Sequence, residues 1–271
     1  MSLVVSEPAL AGRLALAREV ARRAGALQRE RYETDLTIDS KSASIDLVTE
    51  VDRACEALIV AAIRDAFPAD AILAEEGGIG AAPGAEFCWI IDPLDGTTNF
   101  AHGFPRFCVS IGIERRDARV VAVVYDPLLD ECFEAVRGAG AWLGERRLSV
   151  SRETELGRGL FATGFPYDVH ASDDDNLEAF ARVVKSARGI RRDGSAALDL
   201  CYVAAGRIDG YWERKLHAWD VAAGILLVEE AGGRVSDEQG GPVDRSGREL
   251  VATNGPLHAS LLEKVRKRSA P

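Results

Sequence analysis

The sequence predicts a layered α+β protein, and three observations predict it. Stretches with apolar residues at three- and four-residue spacing open the chain and return in its second half. Between them, residues 87–136 hold four apolar or β-branched runs joined by short turns, too close together for helical crossovers and suited to an antiparallel meander. No linker-like stretch divides the chain, so a boundary near Ser149 is expected to separate two closely packed halves, 1–148 and 149–271, that work as one unit.

The first helix is expected from Pro8 to about Tyr32. Leu10, Leu14, Ala17, Ala21, Ala24 and Gln28 form its inner stripe, with arginines on the other face. A second runs from about Glu50 to Phe67 through Ala54 or Cys55, Leu58 and Ala62, closed by Pro68. Ala71–Ala74 is a short strand. Phe87–Ile91 is a buried strand that stops at Asp92. Cys108–Ile113 alternates, with Cys108, Ser110 and Gly112 on one face and Val109, Ile111 and Ile113 on the other. Arg119–Tyr125 and Cys132–Val136 complete the meander, and Gly77–Gly84 is expected to be a surface loop. Further on, Leu160–Gly164 and Ile208–Glu213 are strands, and Asp173–Ala187 and Ser195–Ala205 helices. Asp220–Ala231 is a helix stopped by Gly232 and Gly233. Leu250–Thr253 and a helix from Pro256 to about Lys267 follow.

The composition narrows the function classes. Thirty-three Lys and Arg against 43 Asp and Glu give a net charge of -10, which repels nucleic-acid phosphate and anionic lipid at long range. An anionic substrate would need bound cations to dock on such a chain. Five dispersed cysteines without a C-x-x-C pair argue against a disulfide framework and a structural zinc site. No segment approaches the roughly 20 apolar residues that span a bilayer, and the first residues lack the form of a signal peptide. A cytoplasmic location, no membrane and no nucleic-acid partner are therefore expected. Walker-type phosphate loops and nucleophile elbows are absent from the sequence.

Chemistry concentrates in Trp89-Ile90-Ile91-Asp92-Pro93-Leu94-Asp95-Gly96-Thr97-Thr98-Asn99-Phe100. The strand delivers Asp92, Pro93 turns the chain, and Asp95 follows three residues later so that both carboxylates converge. Gly96 allows close backbone approach, and Gly96 and Thr97 open a helical turn whose free N–H groups suit an anion. Hard oxygen donors beside a phosphate-binding turn suit Mg²⁺. Other acids are ambiguous by themselves. Glu75 and Glu76 end a short strand, as solvated acids often do. Asp52 and Asp220 stand at helix starts, where an acid complements the dipole or caps the helix as readily as it binds a metal.

These blocks together resemble the inositol monophosphatase family over nearly the whole chain. One signature matches Trp89 to Phe100 with Phe104-Pro105 and Val109-Ser110-Ile111. A second matches Trp219 to Gly224 and continues to Glu230-Ala231-Gly232-Gly233. Lys41-Ser42, Asp46 to Thr49 with Asp52, Ala74-Glu75-Glu76, Arg191 to Leu200 and Val203 to Gly206 match further blocks in order. The resemblance implies an α-β-α-β-α sandwich, shared with fructose-1,6-bisphosphatases, and a lithium-sensitive, Mg²⁺-dependent phosphatase with two or three ions per site. Glu75, Asp92 and the Leu94 carbonyl would hold one ion, Asp92, Asp95 and Asp220 a second, and Glu75 with waters a third. Thr97, supported by Asp52, would position the attacking water. The Gly96 and Thr97 amides would bind phosphate, and Glu213, Asp95 and the Ala196 backbone the substrate hydroxyls. Lys41 would reach toward the site from a loop. A homodimer is implied as well.

Two positions depart from the family pattern. Lys215 stands where many relatives have Gly, and Ala218 replaces a Pro or Cys before the Trp. Lys215 either adds positive charge near the pocket or points to solvent. A phosphorylated polyol or sugar is the implied substrate class, with inositol 1-phosphate first because Glu213 accepts from vicinal hydroxyls. Fructose 1,6-bisphosphate, histidinol phosphate and nucleotide 3′-phosphates are the alternatives within this chemistry. A non-catalytic interaction protein on the same fold is the alternative from another class.

Overall fold

The computed structural model describes residues 3, 5–40, 46–80 (backbone alone at 78–80) and 84–266. Helix α1 (Pro8–Arg31) begins with Pro8 in its first turn, where a fixed φ and a missing N–H cost nothing. It buries the expected Leu10, Leu14, Ala17, Ala21, Ala24 and Gln28. Arg13, expected on the outer face, is buried too. Its guanidinium lies over the Phe87 ring at 3.6 Å and donates to both oxygens of Asp70 at 2.8 and 2.7 Å. Strands β1 (Ile38–Ser40) and β2 (Leu47–Thr49) form a small antiparallel pair leading into α2 (Glu50–Ala66). A capping box of Thr49 and Asp52 starts α2. Its buried stripe runs through Cys55, Ile59 and Ile63 rather than Leu58 and Ala62, while Ala54 is exposed.

Eight strands make the first sheet. They are β3 (Ala71–Ala74), β4 (Gly78–Gly80), β5 (Phe87–Asp95), β6 (Cys108–Arg115), β7 (Ala118–Asp126), β8 (Glu131–Val136), β9 (Gly140–Leu143) and β10 (Arg146–Arg147), with the short helix α3 (Thr97–Ala101) after β5. The spatial order is β10-β9-β8-β7-β6-β5-β3-β4. The meander from β5 onward is antiparallel as expected, whereas β3 pairs parallel to β5. β4 lies within Gly77–Gly84, expected to be a loop; β3 offers its free edge, and backbone pairing needs no particular side chain. β5 continues past Asp92 to Asp95 through a register shift, so the chain kinks at Pro93 without leaving the sheet.

The second half supplies β11 (Leu160–Thr163), α4 (Leu177–Val184), β12 (Gly189–Arg191), α5 (Ala196–Ala204), β13 (Gly210–Arg214), α6 (Ala218–Glu230), β14 (Arg234–Ser236), β15 (Glu249–Thr253) and α7 (His258–Val265). Its five strands are ordered β12-β11-β13-β15-β14, with β11 parallel to both neighbours. α4 is shorter than the predicted Asp173–Ala187, because Asp175 and the buried Asn176 serve the turn before it. His258 is buried at the start of α7 between Ser236 and Thr253.

Period-two alternation distributes these strands between separate apolar cores. Val109, Ile111, Ile113, Val121 and Val123 face α1 and α2. Ala122, Val124 and Phe133 on the opposite face meet α5 and α6, which also cover Ala162, Tyr211 and Ala252 of the second sheet. Phe161, Trp212 and Val251 point away, toward α4 and α7. The order is therefore α-β-α-β-α, the expected sandwich. The middle layer sits close because Gly112 and Gly224 carry no side chain. A Cβ on Gly112 would stand 2.8 Å from Ala222 Cβ, and one on Gly224 2.4 Å from Leu200 Cδ1. Each large apolar side chain buried in these cores contributes about 1.5–3 kcal/mol.

Candidate active site

Sheet register starts the site. Because β3 runs parallel to β5 with Ala74 opposite Ile91, the next residues, Glu75 and Asp92, emerge at one end of the sheet. The Glu75 N–H donates to the Ile91 carbonyl at 3.2 Å and continues that ladder. On the other side Asp92 pairs with Ser110 of β6, whose hydroxyl donates to the Trp219 carbonyl at 3.5 Å. The first turn of α6 is thereby brought over Asp92, and Asp220 with it. One Asp220 oxygen caps that helix, accepting the His217 N–H at 2.7 Å. The capping role seen in sequence is real, and it occupies only one of the two oxygens.

The kink after Asp92 is held from within. The Leu94 N–H donates to Asp92 Oδ1 at 3.0 Å, and the Leu94 carbonyl accepts from the Thr97 hydroxyl at 3.1 Å. Gly96 adopts φ +97°, and a Cβ there would lie 2.8 Å from the Arg106 carbonyl, so this turn requires glycine. Thr97 then opens α3. Its hydroxyl is also 2.9 Å from Asp52 Oδ1, whose other oxygen accepts the Thr49 N–H at 2.9 Å. A hydroxyl has one proton to donate, so Asp52 and the Leu94 carbonyl compete for it.

Asp95 is gripped from the second half. Ser195, the N-cap of α5, donates its hydroxyl to Asp95 Oδ2 at 2.6 Å, and the Ala197 N–H donates to the same oxygen at 2.8 Å, with the Ala196 amide alongside. Ser195 was not singled out from sequence. A Ser before a helical run signals a cap, but nothing local reveals that its partner lies 100 positions away. Glu213 lies on β13, where its carboxylate accepts the Tyr211 hydroxyl at 2.5 Å. Lys41 lies outside the described residues.

Burial and acidic neighbours dominate the electrostatics of the described carboxylates. Burial pushes the Asp92 carboxyl well above its ordinary range, and Glu75, Asp95, Asp220 and Asp52 push it the same way. Asp220 rises for the same reasons, with Glu75, Asp95 and Glu213 as neighbours. Asp52 is raised by burial, against the bonds from Thr49 and Thr97. Burial also lifts Glu213 to about 7. Among the described residues, no three potential ligands are already drawn together into a cage. The donors are all oxygen, from Glu75, Asp92, Asp95, Asp220 and the Leu94 carbonyl, and they suit a hard divalent ion such as Mg²⁺ rather than zinc.

The remaining histidines near the motifs have structural surroundings. His217 stacks on Trp219 at 4.7 Å, and His102 ends α3. The Lys215 ammonium does not extend freely into solvent, because it binds Asp168.

Comparison with known proteins agrees with this geometry. The sequence model of the Inositol monophosphatase family matches residues 10–270. A Synechocystis protein named Inositol-1-monophosphatase is 47% identical over 228 residues, covering 84% of this chain and 79% of that one. A Pseudomonas aeruginosa protein named Nus factor SuhB is 48% identical over 240 residues, covering 87% and 88%. The solved structure of inositol monophosphatase from Anabaena (Nostoc) superposes with a TM-score of 0.85 at 42% identity, covering 94% of this chain and 95% of that one.

Proposed function

The chain belongs to the inositol monophosphatase family, and from that premise we propose that it is a Mg²⁺-dependent phosphate monoester hydrolase whose preferred substrate is inositol 1-phosphate. The observation that carries this reading is the electrostatic setting of the buried Asp92, whose carboxyl is pushed upward by burial and by the charges of Glu75, Asp95 and Asp220. A site so negative binds a phosphate ester only with cations in between.

Glu75, Asp92 and the Leu94 carbonyl would hold one ion, and Asp92, Asp95 and Asp220 another. Bound Mg²⁺ supplies positive charge to the phosphoryl oxygens and acidifies water. The protein's own groups do the rest. Thr97 orients the attacking water, and Asp52, hydrogen-bonded to the Thr97 hydroxyl, fixes that hydroxyl's direction. The Gly96 and Thr97 amides bind phosphate at the start of α3. Glu213 accepts hydrogen bonds from the polyol, with Asp95 and the Ala196 backbone beside it. A shared apolar core drawn from both sheets supports treating 1–148 and 149–271 as one catalytic unit. Family membership supports a homodimer, lithium sensitivity and a cytoplasmic setting; among the described residues no helix is long and apolar enough to cross a membrane.

The test is phosphate release from inositol 1-phosphate, fructose 1,6-bisphosphate, histidinol phosphate and a nucleotide 3′-phosphate, with and without Mg²⁺. Release from none, or release indifferent to chelator and to Asp92→Asn, overturns the proposal. A second reading has one observation in its favour, the relative named Nus factor SuhB. An interaction role predicts that Asp92→Asn, folded and inactive, replaces the wild-type chain in any assay of that role.

A further inference from the structure

The loop between β11 and α4 is fastened at both ends around Glu213. At its root, β11 and β13 are parallel with Thr163 opposite Trp212, so the residue after each, Gly164 and Glu213, are neighbours. A Cβ on Gly164 would lie 2.1 Å from Glu213 Oε2; only glycine leaves that carboxylate its place. The buried Asn176 closes the loop's neck, donating to Thr163 Oγ1 at 2.9 Å and to the Gly164 carbonyl at 2.8 Å while accepting from Trp212 Nε1 at 2.8 Å. Phe165 packs edge-on against Phe180 of α4, with centroids 5.6 Å apart.

At its tip, Lys215, two residues beyond Glu213, donates to both oxygens of Asp168 at 2.8 and 2.6 Å and to Ser172 Oγ at 2.9 Å. Those three bonds use all the donors of an ammonium, so Lys215 has none left for a second phosphate. Its backbone sits at φ +57°, a conformation glycine adopts more readily. Tyr167 lies between these anchors. The residue is 49% exposed. Burial, and the charges of Asp220, Asp46, Glu75 and Asp95, push its hydroxyl upward from its ordinary value, so it stays a neutral donor.

We propose that Tyr167, positioned by the Lys215–Asp168 ion pair, is the specificity-determining wall for the alcohol part of the substrate, shaping the mouth beside Glu213 for an uncharged polyol ring. This rests on the phosphatase reading and deepens it. A ring polyol packs against the phenol and meets its hydroxyl, whereas a short linear alcohol reaches neither.

The experiment compares inositol 1-phosphate with glycerol 2-phosphate in steady-state kinetics. Tyr167→Ala lowers kcat/KM for inositol 1-phosphate about tenfold, through KM, and changes glycerol 2-phosphate less than about twofold. Lys215→Gly preserves the turn and produces the same loss of selectivity. Lys215→Arg retains the pair and the selectivity. The double variant is no worse than Tyr167→Ala, and amide hydrogen exchange over residues 165–172 accelerates in Lys215→Gly. Equal effects of Tyr167→Ala on both substrates overturn the proposal. Unchanged selectivity and exchange in Lys215→Gly overturn it as well, with the phosphatase reading intact. A wild-type chain that hydrolyses neither substrate overturns both.

Discussion

The Thr97 hydroxyl stands 2.9 Å from Asp52 Oδ1, joining the first turn of α3 to the first turn of α2 across 45 positions of chain. Asp52 thereby serves two ends, since its other oxygen accepts from Thr49 and caps α2. Asp52→Asn is expected to lower kcat about 100-fold or more, with KM nearly unchanged, because the group orients the nucleophile and does not touch substrate. The amide keeps an acceptor for the Thr49 N–H, so the cap survives and the melting temperature should change little. Thr97→Ser, which keeps the hydroxyl, separates the effects: kcat within a few-fold of wild type agrees, and a 100-fold loss refutes the hydroxyl's role.

Asp92→Asn is expected to abolish turnover and yet stabilise the metal-free protein. The amide keeps an acceptor for the Leu94 N–H and removes a charge that four neighbouring carboxylates oppose. Each kcal/mol gained raises the melting temperature by about 2–4 °C in a chain of this size. Mg²⁺ should raise the wild-type melting temperature by binding the folded state alone, and raise that of the variant far less. Thermal melts with and without Mg²⁺ decide it, and equal metal-induced shifts in both proteins remove Asp92 from the metal site.

Glu213 gives a pH signature. Its folded value of about 7 lies above the ordinary 4.5. The folded state therefore holds a proton that the unfolded chain has released between those values. Its stabilising contribution is complete below about 4.5 and is lost as pH rises through about 7. In metal-free protein, Glu213→Gln should gain stability relative to wild type as pH climbs from about 5 to 8, measured by urea denaturation. With the polyol, the carboxylate form is the better acceptor, so wild-type KM for inositol 1-phosphate should fall across the same window and that of the variant should not.

Asp70 holds one end of the first core together. It accepts from Arg13 through two bonds and from Trp89 Nε1 at 2.8 Å, with both ionic side chains nearly buried. Asp70→Ala leaves a guanidinium and an indole N–H without their partner and should cost about 3–5 kcal/mol. Chemical denaturation measures it. A loss below about 1 kcal/mol means that water replaces the carboxylate.

The sequence by itself determined the layers and the centre of the site. Alternation in Cys108–Ile113 separated the two faces of β6, and the arrangement Asp92, Pro93, Asp95, Gly96 set two carboxylates on a kinked strand before a helical turn, because these are consequences of local period and backbone preference. Local reasoning could not settle Glu75, Asp52 or Asp220, each of which suits a strand end or a helix start equally well; recognising the whole set of motifs tied them to Asp92. The tertiary structure decided the neighbours. Parallel pairing of β3 with β5 sets Glu75 beside Asp92, the Ser110–Trp219 bond sets α6 over both, and Ser195 reaches Asp95 from the other half of the chain. It also buried Arg13, formed β4 from an expected loop, and bound Lys215 to Asp168. Each of these depends on a partner distant in sequence, and composition and periodicity carry no record of which distant group a side chain will meet.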